Sequence, residues 1–335
     1  MKKSATIKDI AGKLGLSAST VSRALSGMPG VDPMTREAVQ DLANQLDYRP
    51  NLTAVRQVRK RSHVIGVVIP SFTIYFYAEA LSGMDQAAKR HGYNLMVCQS
   101  SESYDQEKTS IDLLLSSKMD GLIMSISRET SDFEHIDRVL QRGMPVVLFN
   151  RVCNVVASKV TVDDYNSARQ ATQHLIDQGS RRIAHISGPI NLEISQRRLA
   201  GYKDALTASG LAIDESLIST SDFTSESGFE SAVRLLSSGS RPEAIFCVCD
   251  AVAYGVMEFA RQNHIEVPDQ LKIVGFTDEP ESARTRPQLT TVHQPIFQIG
   301  EETVEVLVAQ LNDPALSPLT RVVDSELRVR ESSAP

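Results

Sequence analysis

The chain has 335 residues, of which 41% are hydrophobic and 23% are charged, a balance typical of a globular protein with two or three domains. No apolar run is long enough to cross a bilayer, and the first residues lack the apolar region of a secretory signal, so we expect a cytoplasmic protein with no membrane partner. The net charge of −6 is unevenly distributed, since residues 1–61 carry a net charge of +6 and the remainder therefore carries −12.

A basic segment ahead of an acidic body indicates that only the segment meets an anionic polymer. A solvated charged surface would produce the same counts, so the charges alone do not decide between the two interpretations. The motifs in the basic segment must decide.

The basic segment shows the apolar periodicity of three short helices, which we predict at Ile7–Leu14, Ser17–Leu25 and Met34–Leu46. Each helix places its apolar residues on one face, so the three faces predict one small core. Gly15 lies at the corner between the first two helices, and Ser17 is the expected N-cap of the second.

The first two helices match the geometry of a helix-turn-helix, in which the second helix enters the major groove of DNA and its first residues contact bases. Small residues at its start, Ala18, Ser19 and Thr20, would let the backbone approach phosphates and bases. Arg23, one turn further, could reach a base or a phosphate. A capped surface helix of a three-helix bundle is the alternative interpretation.

Pro50 ends the third helix, and residues 51–62 are typical of a linker or of a helix too short to be stable alone. From His63 onward, short apolar runs alternate with amphipathic stretches. The helical stretches are predicted at Tyr77–His91, Glu107–Ser116, Asp164–Gln178, Arg197–Ala208, Gly228–Leu236, Ala251–Gln262 and Gly300–Leu311. This βαβ repetition predicts parallel sheets with helices on both faces.

The repetition contains too many units for one sheet, so we expect two doubly wound subdomains with a ligand between their strand ends. A strand pair around residues 320–331 suggests that the chain crosses back. The expected boundaries are 63–162 with 293–322 for the N-subdomain and 163–292 with 323–335 for the C-subdomain.

The stretch "TIKDIAGKLGLSASTVSRALSG" followed by "VDPMTREAVQDLANQLDYRPN" resembles the head of the LacI/GalR (lactose/galactose repressor) family of bacterial transcription regulators. Further motifs follow in the order of that family: "IGVVIP", "VVLFNR", "RRIAHISGP", "RRLAGYKDAL", "AIFCVCDAVAYGVM", "KIVGFTDEP" and "LTTVHQP". The resemblance covers nearly the whole chain. It implies an all-α helix-turn-helix head and a periplasmic-binding-protein-like α/β core that holds a small effector.

The resemblance implies a DNA-binding domain at 1–50, a hinge at 51–62 and an effector-binding and dimerisation core at 63–335. It also implies a homodimer on near-palindromic, double-stranded operator DNA, and the sequence "RVRESSAP" contains no heptad repeat that could join two dimers. The implied DNA contacts are Thr6, Ser17, Ala18, Ser19, Thr20, Ser22, Arg23, Asn51, Val55, Arg56, Gln57 and Val58.

The hinge departs from the family pattern. The family inserts an apolar wedge, usually Leu, into the minor groove, and this chain has Gln57 at that position, with Val55 and Val58 as nearby apolar candidates. The basic cluster around Arg56 and Arg61 is expected to contact phosphates and to make binding dependent on salt.

The resemblance also places an effector site between the two subdomains. Hydrogen-bonding groups next to aromatic faces suit a sugar, and they would also suit a purine. The implied residues are Phe76, Tyr77, Asn150, Arg198, Phe223, Cys249, Thr277, Asp278 and Gln294. Phe76 and Phe223 could instead be core residues, Arg198 a surface charge and Asn150 a strand-end residue.

Two positions depart from the family here. Thr277 stands where the family usually has Asp, and the neighbouring Asp278 should face the opposite way on an extended segment. Cys249 stands where the family often has Asn. Both changes remove polar contacts to a hydroxylated ligand, so a phosphorylated sugar held by Arg198, or loss of the effector response, remains open.

No phosphate-binding loop, nucleophile motif, metal-spaced His cluster or dinucleotide fingerprint indicates an enzyme, and no cofactor is expected. Cys247 and Cys249 would need two more ligands to hold a metal, so we interpret both as small buried side chains. A sugar-capturing transport protein would share the core, but it would have a secretory signal and no basic helical head.

Overall fold

A computed structural model describes residues 5–25, 28–46, 48, 61–237 and 241–334. The chain divides into two units, Met1–Ser62, here called the head, and His63–Pro335, here called the core. Among the described residues no helix is long and apolar enough to cross a membrane.

The head contains three helices, α1 (Ile7–Leu14), α2 (Ala18–Leu25) and α3 (Pro33–Gln45). The chain enters α1 through a capping box, in which Thr6 and Asp9 each accept a hydrogen bond from the backbone N–H of the other. It leaves α1 at Gly15, whose φ of 65° lies in the left-handed region that favours glycine. This corner allows α2 to begin three residues later.

One small core holds the three helices together. The faces that the periodicity predicts as apolar meet there, and each helix contributes two buried side chains. These six residues are Ile10, Ala11, Val21, Ala24, Val39 and Ala43.

The core consists of two lobes, each built on a six-stranded sheet. The sheet of the N-lobe has the strand order β11-β5-β4-β3-β1-β2 and is parallel throughout. Its strands are β1 (Val64–Ile69), β2 (Asn94–Gln99), β3 (Gly121–Met124), β4 (Val146–Phe149), β5 (Ser158–Val162) and β11 (Thr320–Val323).

The sheet of the C-lobe has the order β12-β10-β9-β8-β6-β7 and is parallel except for β12, which runs antiparallel to β10. Its strands are β6 (Ile183–Ser187), β7 (Ile218–Thr220), β8 (Ala244–Cys247), β9 (Lys272–Thr277), β10 (Thr290–His293) and β12 (Glu326–Arg328).

Helices cover the faces of both sheets, as expected of doubly wound lobes. They are α4 (Tyr75–Arg90), α5 (Tyr104–Ser116), α6 (Glu134–Gln141), α7 (Asp164–Asp177), α8 (Glu193–Ala208), α9 (Ser225–Leu236), α10 (Asp250–Gln262) and α11 (Ile296–Asn312). Helices α4 and α11 pack so closely that a methyl group at Gly83 or Gly300 would collide with a carbonyl oxygen of the other helix.

The chain passes between the lobes three times: from β5 into α7, from β10 into α11, and between β11 and β12. The two strands expected around residues 320–331 are β11 and β12, and they belong to different sheets, so the chain crosses back between the lobes here. Helix α6 was not predicted from the sequence. It is short, and its buried apolar residues Ile136 and Val139 form too brief a pattern to stand out.

Parallel strands place their carboxyl ends at one edge of each sheet, and these edges of the two lobes line a common cleft. The loops and helix starts that follow β1, β4, β6, β7, β8, β9 and β10 all contribute residues to it. The topology thus gathers residues as far apart in the sequence as Thr73 and Gln294 into one small-molecule site.

Candidate functional sites

Helix α2 presents a polar, small-residue face to solvent. Val21 and Ala24 are buried in the head, whereas Ala18, Ser19 and Arg23 are exposed. Ser22 is exposed as well, and Thr20 is half-buried. The predicted contact residues of this helix therefore lie together on its outer face.

Ser17 organises the start of this helix. Its Oγ accepts a hydrogen bond from the backbone N–H of Thr20 at 3.1 Å, as the predicted N-cap requires. Its hydroxyl also lies 2.7 Å from that of Ser19 and 2.8 Å from that of Thr20. These bonds fix short hydroxyl side chains at the end of the helix that a helix-turn-helix directs toward bases.

Thr6, another predicted DNA contact, is exposed and forms the capping box of α1. The predicted hinge contacts lie outside the described residues, so the wedge position stays a prediction. They are Asn51, Val55, Arg56, Gln57 and Val58.

A cavity of about 290 Å³ occupies the cleft of the core. Eight of the nine residues predicted for the effector site line it: Phe76, Tyr77, Asn150, Arg198, Phe223, Cys249, Thr277 and Gln294. Seven further lining residues were not predicted: Thr73, Ile74, Tyr75, Arg151, Ile194, Ala251 and Glu279. The cavity combines aromatic rings with amide, hydroxyl and charged groups, which suits a small polar ligand.

Arg198 is buried, so the interpretation as a surface charge is wrong. Its guanidinium donates to the Asp164 carboxylate, with N···O distances of 2.8 Å and 2.7 Å, and to the Val248 carbonyl oxygen at 2.5 Å. It also stacks on the Phe276 ring, 3.6 Å from the ring centroid. Burial raises the pKa of Asp164, and the charge of Arg198 offsets part of that rise.

Arg151, in the N-lobe, has contacts similar to those of Arg198, with one carboxylate and one aromatic ring. It donates to both carboxylate oxygens of Glu102, at 2.9 Å and 2.7 Å, and its guanidinium lies 4.6 Å from the centroid of the Phe223 ring. Because Phe223 belongs to the C-lobe, this stacking contact bridges the cleft. Asn150, the neighbour of Arg151, donates through its amide to the Tyr77 hydroxyl at 3.4 Å, and so it does more than end a strand.

Asp278 is the predicted effector residue that the structure places outside the cavity lining. Its carboxylate accepts hydrogen bonds from Arg328 at 2.5 Å and from Arg330 at 2.6 Å, and lies 3.0 Å from the His293 ring. Thr277 and Asp278 have φ values of 149° and 63°, both in the region that favours glycine. Such strained backbone is typical of functional sites, and here it turns Asp278 away from Thr277.

The two neighbouring cysteines differ in their surroundings. Cys247 is buried in β8, as interpreted from the sequence, whereas Cys249 is half-buried, precedes α10 and lines the cavity. Burial raises the pKa of the Cys249 thiol to about 12, so this thiol is neutral at physiological pH. Among the described residues, no group of three or more His, Cys, Asp or Glu side chains could hold a metal ion.

A helix-turn-helix head followed by a two-lobed core with a small-molecule cleft defines a ligand-responsive DNA-binding regulator. Residues 6–51 match the model of "Bacterial regulatory proteins, lacI family", and residues 62–314 match that of "Periplasmic binding proteins and sugar binding domain of LacI family". The chain belongs to the LacI family. It is a transcription regulator and not an enzyme, because its relatives are regulators.

Known relatives extend over the full chain. Catabolite control protein A of Priestia megaterium is 34% identical, and the match covers 98% of this chain and 99% of the relative. The transcriptional repressor CytR of Escherichia coli is 33% identical over 98% of this chain and 96% of its own length.

Among solved structures, a complex of the regulator CelR with cellobiose is 30% identical, covers 98% of this chain and 99% of its own, and has a TM-score of 0.76. A Lac repressor dimer bound to operator and an anti-inducer reaches a TM-score of 0.90, covering 99% of this chain and all of its own. Its identity is 24%, and it supports the fold.

Proposed function

We propose that this chain is a transcriptional repressor that binds a near-palindromic operator as a homodimer and is controlled by a sugar or sugar derivative in the cleft. The observation that carries the proposal is the cavity of about 290 Å³, in which both lobes contribute rings and hydrogen-bonding groups. The exposed face of α2 supports the DNA-binding part of the proposal, because it offers a surface shaped for the major groove.

Two solved relatives support the proposed partners, operator DNA and a sugar. The Lac repressor was solved as a dimer on operator DNA, and CelR was solved with cellobiose. A two-fold dimer matches a palindromic site, because each subunit places one recognition helix on one half-site. Because DNA is the proposed partner, we propose that the protein acts in the cytoplasm.

The side chains of the cavity favour a hydroxylated ligand over a phosphorylated one. Asn150 and Gln294 offer amides to hydroxyl groups, and Phe76 and Phe223 offer rings to the apolar face of a sugar. A phosphate would need an available cation. Arg151 is already neutralised by Glu102, and Arg198 by Asp164, so we disfavour the phosphorylated sugar.

Control follows from the position of the cavity between the lobes. A ligand that contacts both lobes stabilises one of their relative orientations, and in a dimer this changes the spacing of the two heads. The hinge residues Asn51, Val55, Arg56, Gln57 and Val58 would connect that change to the DNA. Release of DNA by the ligand and promotion of binding are both compatible with this mechanism.

The experiment is selection of bound sites from random duplex DNA with the full-length protein, with and without a pool of neutral and amino sugars. We expect a palindromic site in at least one condition. Arg23→Ala serves as a matched variant, because Arg23 is exposed on α2 and its loss should weaken the enriched site without unfolding the head. Absence of any enriched sequence in both conditions would refute the proposed function.

A further inference from the structure

Glu279 is a lining residue of the cleft that carries an uncompensated charge. It lies two residues beyond Thr277, and its backbone N–H donates to the Asp250 carboxylate at 2.9 Å. Its side chain is half-buried and lines the cavity. Within the parts of the chain that the structure describes, the Glu279 carboxylate has neither a hydrogen bond nor an ion pair.

The other charged side chains that line the cavity already have partners of opposite charge. Arg151 is paired with Glu102 at 2.7 Å, and Arg198 is paired with Asp164 at 2.7 Å. The charge that the lining leaves unbalanced is therefore negative, and it belongs to Glu279. A neutral sugar could donate hydroxyl hydrogen bonds to this carboxylate, but after displacing water from the cleft it would leave the negative charge without a counter-ion.

A second acid behind Glu279 strengthens the negative potential. Asp250 is fully buried and accepts hydrogen bonds from Thr291 at 2.5 Å and from Ser282 at 2.8 Å, in addition to the Glu279 N–H. Burial, followed by the charge of Asp250, raises the pKa of Glu279 to about 7. A cation beside Glu279 would favour its ionised form and compensate its charge.

Tyr75, in the N-lobe, lies at the same acidic end of the cavity as Glu279. Burial raises the pKa of Tyr75, and the charges of Glu79, Asp278 and Glu279 add to that rise. Tyr75 and Glu279 both line the cavity, so a ligand at this end would meet an aromatic ring beside a carboxylate. Rings and carboxylates are the groups that bind ammonium ions in proteins.

We propose that Glu279 makes the cleft selective for an effector that carries a positively charged amino group, and that this effector is an amino sugar. This inference rests on the proposed function and specifies its ligand. The ammonium group donates to Glu279, while the sugar hydroxyls take the amides of Asn150 and Gln294. Glu279 is thus the specificity-determining residue, whereas Asp278, the acid predicted for the effector site, lies outside the cavity lining.

The test is isothermal titration of the full-length protein at pH 7.5 with glucosamine, galactosamine and mannosamine. Each is compared with its neutral hexose and its N-acetyl derivative, which remove the charge and keep the ring. Adenosine and cytidine, whose amino groups are uncharged, form a separate arm. We expect at least one amine to bind at least tenfold more tightly than both of its neutral counterparts.

Two variants make the test specific. Glu279→Gln keeps the size of the side chain and should abolish the preference for the amine over its neutral counterparts. Glu281→Gln is the matched control, because Glu281 is an exposed acid two residues away, paired with Arg284 and outside the cavity lining. This control should leave the preference unchanged.

Three results would overturn the inference. The first is that none of the three amines binds. The second is that a neutral hexose or a nucleoside binds as tightly as the best amine or more tightly. The third is that Glu279→Gln keeps the full preference for the amine. Recovery of a palindromic operator together with any of these results would leave the proposed regulator intact and refute only the amino-sugar assignment. Failure to recover an operator would instead refute the proposed function.

Discussion

Arg128 of the N-lobe and Asp222 of the C-lobe form a direct bridge between the two lobes of the core. The Arg128 guanidinium donates to the Asp222 carbonyl oxygen at 3.1 Å and lies 3.1 Å from the Asp222 carboxylate. Asn191 adds a second link, because its amide donates to the Arg128 carbonyl oxygen at 2.8 Å. The orientation of the lobes, which sets the shape of the cleft, is thus held partly by polar contacts.

Substitution Arg128→Ala removes the bridge while leaving each lobe packed. Since the pair is partly exposed, we expect a loss of less than about 1 kcal/mol in the free energy of unfolding. The lobes should separate more readily, so the radius of gyration measured by small-angle X-ray scattering should rise. Arg138→Ala, which removes an arginine paired with Asp112 inside the N-lobe, should leave the radius unchanged. Equal radii for both variants would contradict the bridging role.

Substitution Arg198→Ala leaves the buried Asp164 carboxylate without its partner. We expect a loss of about 3–5 kcal/mol in the free energy of unfolding, measured by urea denaturation. Arg197→Ala is the control, because Arg197 is half exposed and its contacts with Asp163 and Glu193 are 4.0 Å and 3.7 Å long. The control should lose less than about 1 kcal/mol. A stable Arg198→Ala protein would show that the pair is not structural.

Substitutions on α2 test the cap at its start. Ser17→Ala removes the hydroxyl that accepts from the Thr20 N–H, and should destabilise the helix by about 1 kcal/mol. Ser22→Ala should stabilise it by a few tenths of a kcal/mol, on the order of the difference in helix propensity. Hydrogen exchange of the α2 amides measures both changes. Faster exchange in Ser22→Ala than in Ser17→Ala would contradict the assignment of the cap.

The pKa of Glu279 predicts a pH dependence with a definite sign. Its folded pKa of about 7 lies above the ordinary value of 4.5, so the folded protein binds more protons between these values than the unfolded chain does. Stability is therefore lost as pH rises from about 4.5 through 7. Glu279→Gln should remove this loss, so the variant should gain stability relative to the parent from pH 5 to pH 8. The same dependence of the free energy of unfolding on pH in Glu279→Gln and in the parent would contradict the assignment.

The sequence predicted the three helices of the head closely, because Gly15, Ser17 and Pro33 mark their boundaries with specific backbone chemistry. It also predicted the alternation of strands and helices in the core. The strand order within each sheet, in which β11 joins β5 and β12 joins β10, could not be derived, since the neighbour of a short edge strand depends on tertiary contacts.

Most of the cleft was also predicted, but its electrostatics were not. The left-handed backbone at Asp278 turns this residue away from the cavity, while Thr277 and Glu279 both line it, and the sequence pattern does not encode this backbone conformation. The pairing of Arg198 with Asp164 joins positions on two helices and follows from the packing of α7 against α8, which sequence patterns do not encode.

We expect occupancy of the cleft and binding of DNA to be coupled. Operator affinity should be measured by titration with and without a saturating ligand, chosen as the sugar that most raises the melting temperature of the core. Ligand affinity should be measured with and without operator. The same factor is expected in both directions, about 5-fold to 150-fold. Operator affinity that stays the same when the cleft is saturated would contradict this coupling.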